Sequence, residues 1–176
     1  LALDGVSIDG ANRPLGELSQ GLLEARRVGK VSIDSCDIAG AAKNGLTLES
    51  CAGRVERNAI SGAADAAIWS VEGRGMAIRD NHISDCFNGG ILVHRWQPRA
   101  DNTLISGNRV ARIGARNGGT GQYGNGINVF RGHGVQIANN HVSDCAFSAI
   151  RCNSASNAVI TGNTCPPPPV SESVNR

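Results

Sequence analysis

Aromatic side chains are scarce in this sequence: three Phe, two Trp and one Tyr make up 3% of its 176 residues. A conventional two-layer core normally draws on Phe, Tyr and Leu, whereas a narrow, stacked core is filled by small and β-branched residues. Large charge of either sign is missing too. A net charge of +2 gives no case for nucleic acid or for an anionic membrane surface. No apolar run is long enough to span a bilayer, and no signal peptide opens the chain at Leu1.

Other signatures are absent as well. Six cysteines (Cys36, Cys51, Cys86, Cys145, Cys152, Cys165) include no CxxC pair, and they read as small buried hydrophobes rather than as disulfides or metal ligands. The four histidines form no HxH or HExxH, and no groove of clustered carboxylates suggests calcium, so no metal is expected. Gly119-Thr120-Gly121-Gln122-Tyr123-Gly124 matches GxGxxG, but no βαβ unit surrounds it; nucleotide binding is rejected and no cofactor is expected.

What the chain has is glycine, 23 residues of it, and a repeat. An apolar-x-x-Asn unit runs Ile33 to Cys36, Val55 to Asn58, Ile78 to Asn81, Ile105 to Asn108, Ile137 to Asn140 and Ile160 to Asn163, at intervals of 22, 23, 27, 32 and 23 residues. Two positions after the Asn slot stands Ile38, Ile60, Ile83, Val110, Val142 or Cys165. A second strand recurs at Gly21-Leu22, Gly45-Leu46, Ala67-Ile68, Gly90-Ile91, Gly126-Ile127 and Ala149-Ile150. With a weaker copy at Val6–Asp9, the repeat occurs about seven times.

A unit of this length cannot bury its apolar face alone and must stack on its neighbours. Short alternating strands, with nothing helical beyond a possible turn at Glu17–Glu24, select an all-β fold. The expectation is a single-stranded, right-handed parallel β-helix of about six to seven coils, occupying residues 1–165 as part of a longer solenoid. Asn58, Asn81, Asn108, Asn140 and Asn163 would stack as a structural amide ladder. Asn-Gly at 44–45, 88–89 and 125–126 is read as supplying backbone angles closed to β-branched residues. Pro166-Pro167-Pro168-Pro169 cannot donate to another coil, so 166–176 reads as an extended tail. Two insertions, Val93–Thr103 and Val110–Ile127, break the rhythm and are expected to be loops on a binding side.

Several stretches carry a family resemblance. Gly121-Gln122-Tyr123-Gly124-Asn125-Gly126-Ile127-Asn128-Val129-Phe130-Arg131 is one, and Cys145–Ile150 with Arg151, Asn153 and Ser154-Ala155-Ser156-Asn157 is another. With Ala63–Ile68 and Asn88–Val93, they resemble the twin-arginine-translocated repeat proteins of proteobacteria over nearly the whole chain to Cys165. The resemblance implies a pectate-lyase-like right-handed β-helix and a periplasmic or secreted location, with no established reaction. The family's export signal, N-terminal cap and later coils have no counterpart in this sequence, which puts autonomous folding in question.

The best candidate for chemistry lies beside the two insertions. Four positions after each strand's apolar anchor the sequence reads Arg26, Ser50, Glu72, Arg95, Arg131 and Ser154, which would stack Arg95 on Arg131. His94, Trp96, Arg99, Arg116, Tyr123 and His133 are expected nearby. Guanidiniums and aromatic rings suit the carboxylates and ring faces of an acidic polysaccharide. For a β-eliminating lyase, Arg95 and Arg131 would neutralise the uronate and Tyr123, His94 or His133 would take the C5 proton. Three readings stay open: a polysaccharide lyase, a non-enzymatic glycan-binding or structural solenoid, or a plain edge in which Glu72 pairs with Arg95. A truncated fragment without activity is a further alternative. A second candidate, Asp85 and Asp144 two coils apart, has Arg112 between them and reads better as an ion ladder.

Overall fold

The computed structural model describes residues 1–118 and 121–167. Each coil contributes one strand to each of three parallel sheets, and no helix occurs among the described residues. The first sheet stacks Ala2–Asp4, Val31–Asp34, Gly53–Glu56, Ala77–Arg79, Leu104–Ser106, Gln136–Ala138 and Val159–Thr161. The second stacks Ser7–Asp9, Asp37–Ala39, Ala59–Ser61, His82–Ser84, Arg109–Ile113 and His141–Cys145. The third stacks Gly21–Arg26, Asn44–Glu49, Ala66–Val71, Gly89–Ala100, Asn125–His133 and Ile150–Asn153.

Register explains the composition. Ile33, Val55, Ile78, Ile105 and Ile137 lie directly over one another in the first sheet. Ile38, Ile60, Ile83, Val110 and Val142 do so in the second, and Leu46, Ile68, Ile91 and Ile127 in the third. All of them are buried in one core. Each full burial of such a side chain contributes about 1.5–3 kcal/mol. Three inward columns with rungs about 4.8 Å apart take one aliphatic per rung, which leaves little room inside for aromatic rings.

The Asn slot sits at the corner between the first and second sheets. Asn58, Asn81 and Asn108 each donate through Nδ2 to the Oδ1 of the next Asn at 2.9 Å, and Asn140 does the same to Asn163. The same Oδ1 atoms accept the backbone N–H of the preceding Asn, so the amides close the corner coil by coil. At the start of the ladder Cys36 takes the slot, its N–H donating to Asn58 Oδ1. The residue before the slot is left-handed throughout: Ser35, Arg57, Asp80, Gly107, Asn139 and Gly162 have φ between 53° and 68°.

Each coil has three strands, the first two separated by a tight corner. Three expectations are corrected. Glu17–Glu24 is no helical turn; Gly21–Arg26 is a strand. The insertion after Val93 is not a loop, since one strand continues from Gly89 to Ala100, with a bulge against its neighbour between His94 and Arg99. Two of the Asn-Gly glycines, Gly45 and Gly126, owe their place to space, not to backbone angle. None of Gly45, Gly89 and Gly126 has positive φ, whereas a Cβ on Gly45 would meet Ala67 O at 2.7 Å. The six cysteines are free thiols, with Cys36, Cys51 and Cys86 buried. Of the Pro-rich tail, 168–176 lies outside the described residues.

Candidate functional site

Alternation along the third sheet sends every second side chain outward. One outward column holds Thr47, Trp69, Leu92, Asn128 and Arg151, and the next holds Glu49, Val71, His94, Phe130 and Asn153. Residues 121–123 of the second insertion lie against this face. The insertion's backbone is fixed by Arg116 N–H donating to Phe87 O, Asn117 N–H to Asn88 Oδ1 and Gly124 N–H to Asn88 O, and it brings Gln122 and Tyr123 to the sheet.

Between loop and sheet lies a cavity of about 350 Å³ whose lining includes His94, Trp96, Gln122, Asn128, Phe130, Arg151 and Asn153. A second cavity of about 170 Å³ shares His94 and Gln122 with it and adds Asp65, Trp69, Leu92 and Tyr123. The aromatic walls are edge-to-face: Trp69 lies 6.4 Å from His94 and 6.5 Å from Trp96, and His94 lies 5.9 Å from Phe130. Trp96 owes its position to the bulge. Its N–H donates to Glu72 Oε1 and its carbonyl accepts from Arg131, leaving an indole that is 59% exposed.

Some polar groups of the cavity are unsatisfied by protein. Trp69 Nε1–H donates to His94 Nδ1 at 3.3 Å, so the neutral ring carries its proton on Nε2. That Nε2 has no partner among the described residues, and neither has Oδ1 of Asn128, a side chain only 1% exposed. Burial, and secondarily the charge of Arg151, lowers the His94 pKa to about 4. Burial raises the Asp65 carboxyl, although a hydrogen bond from Asn88 works the other way. The face thus offers an imidazole donor, an amide acceptor and a guanidinium between ring edges.

The residues singled out in the sequence divide into groups. His94 and Trp96 line the larger cavity, Tyr123 lines the smaller, and Arg131 flanks the site with its guanidinium 4.6 Å over the Phe130 ring. Arg95, expected to face a ligand beside Arg131, is among the lining of the larger cavity but is only 5% exposed, its guanidinium taken up by protein partners. Its guanidinium donates to Gly73 O at 2.7 Å, Asp101 at 3.1 Å and Glu72 at 3.2 Å. Arg99 also pairs with Glu72. Burial pushes Glu72 up, but these cations and the Trp96 N–H outweigh it and hold the carboxyl below its usual range. Arg116 is 3.8 Å over the Phe87 ring, away from the cavities, and His133 pairs with Ala100 beyond the bulge. On the second sheet, Arg112 binds Asp85 at 2.6 and 2.8 Å; its hydrogen bonds, with one from Ser84, bring Asp85 to about 2.

Trp69, Asn128, Phe130, Arg151, Asn153, Gln122 and Asp65 were not singled out. Counting one and three positions past each strand's apolar anchor, rather than four, finds the two outward columns that hold five of them.

The model of the right-handed β-helix region family matches residues 21–165, and the chain belongs to that family. No curated protein and no solved structure matches the chain.

Proposed function

We propose that this protein binds an acidic polysaccharide on the outer face of its third sheet, and that it does so without cleaving it. The observation that carries the reading is the cavity of about 350 Å³, in which ring edges, the unpartnered Asn128 Oδ1 and His94 Nε2–H, and the Arg151 guanidinium converge. Sugar rings present an apolar face and a belt of hydroxyls that both donate and accept, and a uronate adds a carboxylate for which a guanidinium is the natural partner. Arg151 takes the role first given to Arg95.

Elimination fits the site poorly. It needs a base beside the group that neutralises the carboxylate. In the larger cavity the imidazole of His94 is the one candidate base among the described lining residues. Its Nδ1 is engaged by Trp69 and its affinity for a proton is low. Tyr123 belongs to the neighbouring cavity.

The resemblance to twin-arginine-translocated repeat proteins supports a periplasmic or secreted location.

Both tryptophans of the chain stand at this face, so their fluorescence reports occupancy. Titration with oligosaccharides of alginate, polygalacturonate and hyaluronan, beside neutral cello-oligosaccharides, is expected to give saturable changes with at least one acidic chain. Ultraviolet absorbance of unsaturated uronates is expected to stay flat in the same samples. Fluorescence indifferent to every acidic chain would remove the reading, and rising absorbance would replace binding by elimination.

A further inference from the structure

A site of different chemistry occupies the outer face of the second sheet. Parallel pairing sets His82, Arg109 and His141 in register on successive rungs, roughly 4.8 Å apart. A cavity of about 180 Å³ opens beside them, its lining including Ala111, Arg112 and Ser143 as well as the apolar Ile83 and Val110. The column alongside is short-chained, with Ser61, Ser84, Ala111 and Ser143 in register, and this keeps the depression open.

No carboxylate lines this cavity among the described residues. Asp85 is turned to Arg112, and Asp144 acts on the same guanidinium. Asp80 stands at the preceding corner with its carboxylate against Gly107. Asp37 lies two rungs away, beyond Ala59. The first sheet is built differently. There Arg57 meets Asp34 and Arg79 meets Glu56. Arg109 has no acidic partner of that kind among the described residues. The Arg109 guanidinium thus stands between two imidazoles without a compensating carboxylate, which favours an anion between the rungs.

We propose that the His82–Arg109–His141 column is a binding site for a tetrahedral oxyanion, phosphate or sulfate, taken either free or as an ester. The guanidinium presents two parallel N–H groups to two oxygens, and an imidazole on the rung above or below donates to a third. Ser143 supplies a hydroxyl from the cavity wall. The site is independent of the cavities on the third sheet.

The test follows the imidazole resonances of His82 and His141 by NMR while inorganic phosphate, inorganic sulfate or a sulfated oligosaccharide is added at constant pH. Saturable shifts of both signals are expected. Arg109→Ala should weaken binding about tenfold or more without lowering the melting temperature, because the side chain is exposed. His82→Asn/His141→Asn should weaken binding severalfold while Arg109 keeps part of it. Equal affinities for free and esterified sulfate would point to the free ion, and tighter binding of the ester to a chain-borne group; either supports the site. Shifts that fail to saturate at tens of millimolar, or binding unchanged in Arg109→Ala, would overturn it.

Discussion

His94 shows how one side chain acquires its chemistry from its rung. Pairing sets it over Val71 and under Phe130, and Trp69 donates to its Nδ1 from the adjoining outward column. A protonated ring would lose that bond and be desolvated beside Arg151, so its pKa falls to about 4, below the ordinary value near 6.5. The unfolded chain therefore binds the proton more readily between those two pH values. Stability associated with neutral His94 is complete above about pH 6.5 and is lost as the pH falls toward 4, by an amount on the order of 3 kcal/mol. Urea denaturation from pH 4 to 7 should show this slope in the wild type and a flatter one in His94→Gln. Parallel curves would mean that the imidazole is freely protonated and that its role as a fixed donor is wrong.

Among the elements, the corner between the first two sheets carries the most regular polar network. Asn108 Oδ1 accepts from both the backbone and side-chain nitrogens of Asn81, and its Nδ2 donates to Ile78 O and to Asn140 Oδ1. Asn108→Ala leaves those buried groups without partners, each costing about 1–3 kcal/mol. A loss of about 3 kcal/mol in denaturant unfolding is expected, against about 1 kcal/mol for Asn163→Ala on the more exposed last rung. Equal losses at the two positions would indicate that the rungs do not differ as their burial implies.

This ladder was legible in the sequence because every rung from Asn58 onward uses the same residue type three positions after its apolar anchor. The outward columns of the third sheet were not. Thr47, Trp69, Leu92, Asn128 and Arg151 share no chemistry, and only register makes them neighbours. The bulge was hidden for another reason. An insertion of polar and proline residues reads as a loop, yet here Arg95 pairs with Glu72 and Asp101 and lets the strand run on to Ala100. The sequence did reveal that Glu72 stands one coil before Arg95, and that ion pair forms.

At the scale of the whole molecule, the three-sheet solenoid separates tasks by face. The core is common to all coils and nearly uniform, so differences between coils are carried by outward positions and by the two insertions. That arrangement places an aromatic, partly unsatisfied groove on one sheet and a cationic column on another, with no need to alter the interior. It also explains why the spacing of the repeat located the fold but not the groove: periodicity reports what the coils share, and a site is made from what they do not.

The central claim is that Arg151, rather than the buried Arg95, is the cation that reads the carboxylate of a bound glycan. Calorimetric titration of the wild type, Arg151→Ala and Arg131→Ala with the best acidic oligosaccharide tests it directly. Arg151→Ala should weaken binding at least tenfold, about 1.4 kcal/mol, while Arg131→Ala, whose guanidinium lies over Phe130 and donates to the Trp96 carbonyl, should change it less than threefold. Undiminished affinity in Arg151→Ala, or equal affinity of the wild type for a neutral chain of the same length, would contradict the claim.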